Sequence, residues 1–488
     1  MSLTTLVKRL QNIMRNDEGI NGDAQRIEQI VWLLFLKIYD AKEAEWEFMD
    51  DGFESIIPEP LRWRNWAVDH KDGEALTGNA LLDFVNNSLF PTLKNLEINE
   101  FTPRRKRIVR DAFEDNNNFM KKGVLLRQLI NAINEIDFEG HKERHAFGEL
   151  YETILKSLQS AGNAGEFYTP RAVTDFMAKM LAPKLGERIA DLACGTGGFL
   201  TSMLKELEGQ VNSTDDKAQF NAALYGCEKK ALPYLLCVTN LLLHDIDNPN
   251  VRHGNSLERR VQDYKDADRF DVIVMNPPYG GNELESIKTN FPPDLRGSET
   301  ADLFMAVILY RLKRNGRAAV ILPDGFLFGT DGAKLALKQK LLEECNLHTI
   351  VRLPKSVFAP YTSITTNILF FDKSGPTRET WFYRLDLPEG YKAFSKTKSM
   401  RLEHFAPVMD WWNNREVINE DGFDKARRYT ADELRERGCN LDLCGYPHEE
   451  EEILPPGELI ARYQERRAAL NAAIDQKLAH ILGLLENK

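Results

Sequence analysis

The sequence predicts an α/β protein, with a helical bundle ahead of one sheet domain and a long helix after it. Three observations lead there. Apolar residues recur at helical spacing through 1–155, strand and helix signals alternate over 156–385, and a coiled-coil-like apolar seam runs through 456–488. Residues 386–455 read as an irregular α/β extension between the sheet and the last helix.

Taken in order, Leu6, Leu10, Ile13 and Met14 open the first stripe, and Ile27, Ile30, Val31, Leu34, Phe35 and Ile38 form the second. Pro58, Pro60, Trp63 and Trp66 mark an irregular segment, and two further stripes follow, Leu125 to Ile133 and Phe147 to Leu155. All four read as bundle core, without catalytic character. Short strands are then expected at 188–193, 223–227, just before His253, 270–275, 317–322, 347–353 and 366–372. Helices are expected through Leu200 to Leu207, Leu235 to Leu242, over 302–314 and near 332–344. Such alternation predicts a parallel sheet covered on both faces, with ligands at the C-terminal strand ends. Past Pro455-Pro456-Gly457, the residues Tyr463, Leu470, Ile474, Leu478, Ile481 and Leu485 step by 7, 4, 4, 3 and 4. That seam suits either packing on the chain's own domain or a partner helix.

Chemistry concentrates at three strand ends. The apolar run Phe270 to Met275 enters Asn276-Pro277-Pro278-Tyr279, where two prolines fix φ and remove two N–H donors, leaving carbonyls free to accept. The Asn276 amide oxygen adds a neutral acceptor, and Tyr279 adds an aromatic face. Rigid acceptors beside an aromatic suit a planar substrate with an exocyclic amine, such as adenine; a proline-stiffened loop is the plainer reading. Upstream, Asp191 ends one strand, and Cys194-Gly195-Thr196-Gly197-Gly198 turns into a helix whose N–H groups favour an anionic group. The dinucleotide pattern G-x-G-x-x-G fails because Leu200 stands where its third glycine would be, and no Gly-Lys-Ser/Thr follows for a P-loop. Glu228 ends the next strand, a place suited to binding two ribose hydroxyls. Asp302 either lines the site or caps a helix.

This order of glycine turn, acid and N-P-P-Y resembles amino-group methyltransferases that use S-adenosylmethionine. The wider sequence resembles the DNA-methylating modification subunit of bacterial type I restriction–modification systems, from near residue 10 to the C-terminus. Gly165-Glu166-Phe167-Tyr168-Thr169-Pro170 is similar to that family's extra cofactor segment, Asp191 to Phe199 to its cofactor loop, and Asn276 to Tyr279 to its catalytic turn. The stretches Gly316 to Asp324 and Thr366 to Phe371 are similar to family strands. The resemblance implies a Rossmann-like methyltransferase sheet with S-adenosylmethionine held by Glu166, Phe167, Tyr168, Thr169, Asp191, Gly195, Thr196, Gly197, Gly198, Glu228 and Asn255. It implies catalysis at Asn276, Pro277, Pro278 and Tyr279 on an adenine flipped from double-stranded DNA. It also implies a specificity subunit joined by two modification subunits, and a restriction subunit in the full complex. The N-P-P-Y turn alone is shared with protein-glutamine and RNA methyltransferases. Those activities, and a non-catalytic cofactor-binding subunit, are the rival readings.

The 488 residues, 43% hydrophobic and 28% charged, have ordinary globular composition. The apolar stretch Ile30 to Leu36 is too short to span a bilayer and no targeting pattern is visible, so the cytoplasm is the expected compartment. Six cysteines and nine histidines lack metal-ligand spacing, so no metal is expected, and pairing of Cys439 with Cys444 is disfavoured in that compartment. Net charge is −11, and the one dense basic run, Arg104 to Arg107 with Arg110, reads as a solvated helix face. A DNA enzyme of that charge needs another subunit for much of its grip.

Overall fold

A computed structural model describes residues 3–70, 73–136, 148, 151, 168–330, 332–359, 361–395, 398–420, 422–446 and 456–486. Residues 1–445 form one compact unit and 446–488 a second. The fourth helical stripe, apart from Tyr151, lies outside the described residues, as do Glu166 and Phe167.

Ten described strands form one sheet: β1 (Ile189–Asp191), β2 (Leu224–Glu228), β3 (Val251–His253), β4 (Phe270–Met275), β5 (Leu312–Pro323), β6 (Asn346–Arg352), β7 (Thr366–Asp372), β8 (Glu379–Arg384), β9 (Ile418–Glu420) and β10 (Phe423–Thr430). Their order is β3-β2-β1-β4-β5-β7-β6-β8-β10-β9. The first five are mutually parallel, each returning through a helical or irregular crossover. The fully parallel sheet expected from alternation is corrected at β7, which runs antiparallel to both β5 and β6. Helix Gly332–Glu344 carries the chain from β5 to β6, whereas the described residues of 353–365 contain no helix long enough to carry it back along the sheet, so β7 returns in the opposite direction. β10 is antiparallel to β8 and β9, which brings part of 386–446 into the sheet.

The alternation within strands sorts the core into two layers. Val272, Val274, Ala319, Ile321, Ile368 and Phe370 share one cluster with the N-terminal helices, while Ile273, Met275, Ala318, Val320, Leu322 and Phe371 share another with helices Thr300–Arg311 and Gly332–Glu344. Helix Ala231–Leu243 is apolar nearly all round because it is covered twice: by the sheet and by the long helix Asp23–Met49. The expected helix 302–314 ends earlier, at Arg311, because Asn315 (φ 61°) and Gly316 belong to an irregular start of β5.

The basic run is not a free solvated face. In helix Arg104–Phe113 the Arg105 guanidinium lies 5.4 Å from the Trp46 ring centroid and 5.0 Å from that of Phe53. Arg107 donates to the Asn99 carbonyl at 2.7 Å, and Arg110 pairs with Asp111 at 3.0 Å. Long basic side chains cover apolar surface here.

Lys42, 3% exposed on helix Asp23–Met49, ties the helical region to the end of helix Ala231–Leu243, pairing with Asp245 at 3.0 Å and Asp247 at 2.9 Å. Burial alone would lower its pKa, but the two aspartates hold it above the usual lysine value. We expect Lys42→Met to cost about 2 kcal/mol, below a fully buried pair because Asp247 stays half exposed. Urea denaturation of the two proteins at neutral pH measures it.

Candidate active site

The C-terminal ends of β1, β2, β3 and β4 enclose a cavity of about 400 Å³. Its floor is the glycine turn. Gly197 N–H closes the turn on the Cys194 carbonyl at 2.8 Å, with positive φ at Gly195 (51°) and Gly197 (79°), where L-residues are strained. Helix Gly198–Glu208 starts directly from it. Asp191, 1% exposed, accepts from Ala193 N–H at 3.2 Å through Oδ1, and its Oδ2 is buried without a protein partner. Burial, and after it the nearby Glu228 carboxylate, push the Asp191 pKa well up against the pull of that N–H. Glu228 accepts from Gly195 N–H and from Lys230 N–H, each at 2.9 Å. Burial still raises its pKa. Two buried carboxylates thus face one cavity, one with an oxygen still to be satisfied.

Across the cavity, β4 delivers Asn276. Its Nδ2 donates to Thr169 Oγ1 at 3.1 Å, and its Oδ1 accepts from the Tyr279 hydroxyl. Burial pushes the Tyr279 phenol up, so it stays protonated and acts as a donor. Pro277 is buried under the turn and Pro278 is exposed at its surface.

Of the sequence-derived site residues, Thr169, Asp191, Gly195, Thr196, Gly198, Glu228, Asn255, Asn276, Pro278 and Tyr279 line this one cavity. Tyr168, Gly197 and Pro277 do not; Tyr168 is 4% exposed in the core, and a Cβ at Gly197 would meet Cys237 Sγ at 2.8 Å. Gly197 is therefore required by the turn and by helix Ala231–Leu243 behind it, rather than by approach to a ligand. Asp302 neither lines the cavity nor caps its helix: the capping position is Glu299, and Asp302 accepts from Lys334 Nζ at 2.6 Å. Sequence reasoning missed Ser256, which donates to the Leu192 carbonyl at 2.7 Å, and also Lys229, Glu283, Thr300 and Phe304. Ser256 was findable, since it follows Asn255 at a strand end. Glu283 reaches the wall by pairing with Lys229 at 3.3 Å, a contact without a local signature.

The chain resembles known proteins along its whole length. Residues 142–453 match the N-6 DNA methylase family, and residues 3–133 match the HsdM N-terminal domain. The type I restriction enzyme EcoEI methylase subunit of Escherichia coli is 50% identical over 99% of this chain and 98% of its own. This chain belongs to the N-6 DNA methylases. The StySPI methylase subunit of Salmonella potsdam is 28% identical over 83% of the chain and 76% of its own length. Among solved structures, a modification subunit from Vibrio vulnificus YJ016 superposes with TM-score 0.77 at 41% identity, covering 88% of this chain and 92% of that one. A chain from a structure of the type I R-M system gives TM-score 0.80 at 33% identity, covering 100% and 98%.

As an N-6 DNA methylase the protein uses S-adenosylmethionine, and the cavity fits that molecule on its own terms. The unsatisfied, buried Asp191 Oδ2 suits the ammonium of the methionine end, and a cationic ligand relieves the repulsion between Asp191 and Glu228. Bound there, the cofactor supplies an electrophilic methyl group.

Gly197→Ala should lower the melting temperature of the cofactor-free protein, reflecting about 1–2 kcal/mol of left-handed backbone strain plus the Cys237 clash. Cys237→Ala in that background should restore part of the loss. Scanning calorimetry without cofactor checks both.

Proposed function

We propose that this N-6 DNA methylase is the modification subunit of a type I restriction–modification complex, methylating adenine N6 in a specific DNA sequence. The observation that carries the reading is the meeting of Asn276 and Tyr279 with Asp191 and Glu228 around one cavity, from three separate chain segments. The adenine amine is a poor nucleophile because its lone pair is delocalised into the ring. In our reading the Asn276 Oδ1 and the Pro277 carbonyl accept its two hydrogens and localise that lone pair. Tyr279 stacks on the extruded base, offsetting part of a few kcal/mol of unstacking. Asp191 and the Gly195–Gly198 turn hold the methionine end, Glu228 the ribose, and Phe167 to Thr169 close over the cofactor. Asn255, on the cavity wall, completes the cofactor set. Placement supplies most of the acceleration, and no covalent enzyme intermediate is needed.

No relative reported above supports a protein- or RNA-directed activity or a non-catalytic subunit. Asn276→Ala should leave S-adenosylmethionine affinity within about twofold while lowering methyl transfer by a factor on the order of 100 or more. Calorimetry and radiolabel transfer to duplex DNA measure the two. Transfer at the wild-type rate would sink the role of Asn276, and label on cytosine would correct the base, since N4-cytosine enzymes use a related turn.

DNA and other subunits are the partners this family implies. For this chain we further propose two copies with one specificity subunit, and a restriction subunit in the full complex. The division into 1–155, 156–385, 386–455 and 456–488 is likewise our proposal, as is the cytoplasm as compartment. No described helix is long and apolar enough to cross a membrane, and all six cysteines are free. Net charge of −11 supports a partner that grips the DNA. Helix Pro456–Glu486 carries Tyr463, Leu470, Ile474 and Leu478 at seam spacing, which supports a partner helix. Removing 456–488 should preserve cofactor binding but abolish co-purification with the specificity subunit, and with it methylation. Normal assembly of the truncated chain would assign the seam to packing within the chain.

A further inference from the structure

We propose that Phe328 is a wedge that enters the DNA duplex beside the extruded adenine and fills the gap its departure leaves. This rests on the proposed extrusion of an adenine toward Asn276. Taking one base out of a stack strips a stacking partner from its neighbours, and proteins that open duplexes offset such a loss with an apolar side chain pushed between base steps. Exposed apolar side chains are not spread evenly over the sheet region. Among the described residues of 168–416, the large ones that are exposed are Leu284, Phe328, Tyr361 and Ile364. Each lies in the segment leaving the C-terminal end of β4, β5 or β6, the edge on which Asn276 opens. Asp191, Glu228 and the glycine turn take up the β1 and β2 side of that edge, so with the cofactor in place DNA approaches over β4, β5 and β6.

Register places Phe328 where a duplex would meet it. Met275 pairs with Val320, which sets Asn276 level with Ile321, so helix Asp324–Phe328 starts three residues, about 10 Å, beyond the acceptor. Pro323 pairs with Thr366, and the Thr365 carbonyl accepts from Asp324 N–H at 3.2 Å, so Ile364 flanks the same short helix. Phe328 closes that helix 54% exposed, while Phe326 and Leu327 before it are buried. The Leu327 carbonyl accepts from Lys338 Nζ at 2.9 Å and from Leu441 N–H at 3.0 Å, and Asp324 accepts from Asn367 Nδ2 at 2.7 Å. An aromatic ring is thus exposed on a turn pinned at both ends, which limits the freedom lost on insertion. Burial raises the Tyr279 phenol, the Asn276 bond lowers it and Tyr361 adds to the rise, which sets the 361–364 loop close to the catalytic turn. Of the four exposed side chains, Leu284 and Ile364 have no ring to stack on a base, and Tyr361 is the less exposed of the two aromatics at 37%.

The experiment assembles the full chain with the specificity subunit on a duplex bearing the complex's own methylation site. At the target adenine the duplex carries 2-aminopurine, whose fluorescence rises on unstacking; an unmodified duplex serves for radiolabel transfer. Wild type is compared with Phe328→Ala, Phe328→Trp and, as a control at the far end of the sheet, Phe423→Ala, an exposed ring on β10. Phe328→Ala should lower the fluorescence rise, and kcat/KM for DNA roughly 5- to 100-fold, the range set by losing one base–aromatic stack. Its S-adenosylmethionine affinity by calorimetry should stay within about twofold of wild type, because Phe328 does not line the cofactor cavity. Phe328→Trp should recover most of both losses. A mismatched base opposite the target lowers the cost of extrusion and should restore the fluorescence rise of the alanine variant. An unchanged rise and rate in Phe328→Ala, a loss the mismatch leaves in place, a tryptophan variant as impaired as alanine, or an equal loss in Phe423→Ala would each overturn the wedge. Failure of Phe328→Ala to co-purify with the specificity subunit would overturn it too, and assign the ring to a protein contact. Absence of any fluorescence rise with wild type would overturn the extrusion reading, and the wedge with it.

Discussion

Parallel pairing of β1 with both β2 and β4 is the constraint on which the site depends. Ile189 pairs with Leu224 on one side and Val272 on the other, so the three strands run to the same edge and leave Asp191, Glu228 and Asn276 around one opening. Both faces of these strands are buried, and a one-residue slip would exchange the side chains of the two core layers. The register that secures the core therefore also sets the spacing of the chemistry. Helix Ala231–Leu243 reinforces it, carrying Cys237 against the glycine turn on one side and meeting helix Asp23–Met49 on the other.

Stability and function pull apart at the cavity. Asp191 and Glu228 are both buried, and neither meets a cationic side chain strong enough to cancel the effect of burial on its pKa. Backbone N–H groups from the glycine turn and from the end of β2 hold Glu228 in place. Asp191 is left with an open oxygen. An empty fold gains nothing from that arrangement, whereas a cationic ligand turns it into binding energy.

Much of this was legible because each piece of the candidate site is local. Strand, turn and following acid or amide are contiguous in sequence, and the strand limits at 270–275 and 366–372 agree with the structure. What escaped was long-range. The reversal at β7 depends on which neighbour a strand finds, and the apolar runs of β6 and β7 look alike whichever way they point. Asp302 offered a plausible local role as a cap but spends its charge on Lys334, 32 positions away. Gly197 carried the right residue for a reason visible only in three dimensions, the Sγ of Cys237 behind it. The arginine run gave no sign that Trp46 and Phe53 would lie beneath it.

The hydrogen bond from the Tyr279 hydroxyl to Asn276 Oδ1 also bears on which molecules the site rejects. An occupied acceptor is surrendered only to another donor. A guest presenting a keto oxygen at that point, as thymine does, would displace the phenol and leave two acceptors face to face. Sites built around such a directed hydrogen bond discriminate by factors of about 10⁴ or more against a partner that cannot return it. Fidelity toward the amino group would then begin in the resting site, in the direction of a single O–H bond, before any methyl group is in play.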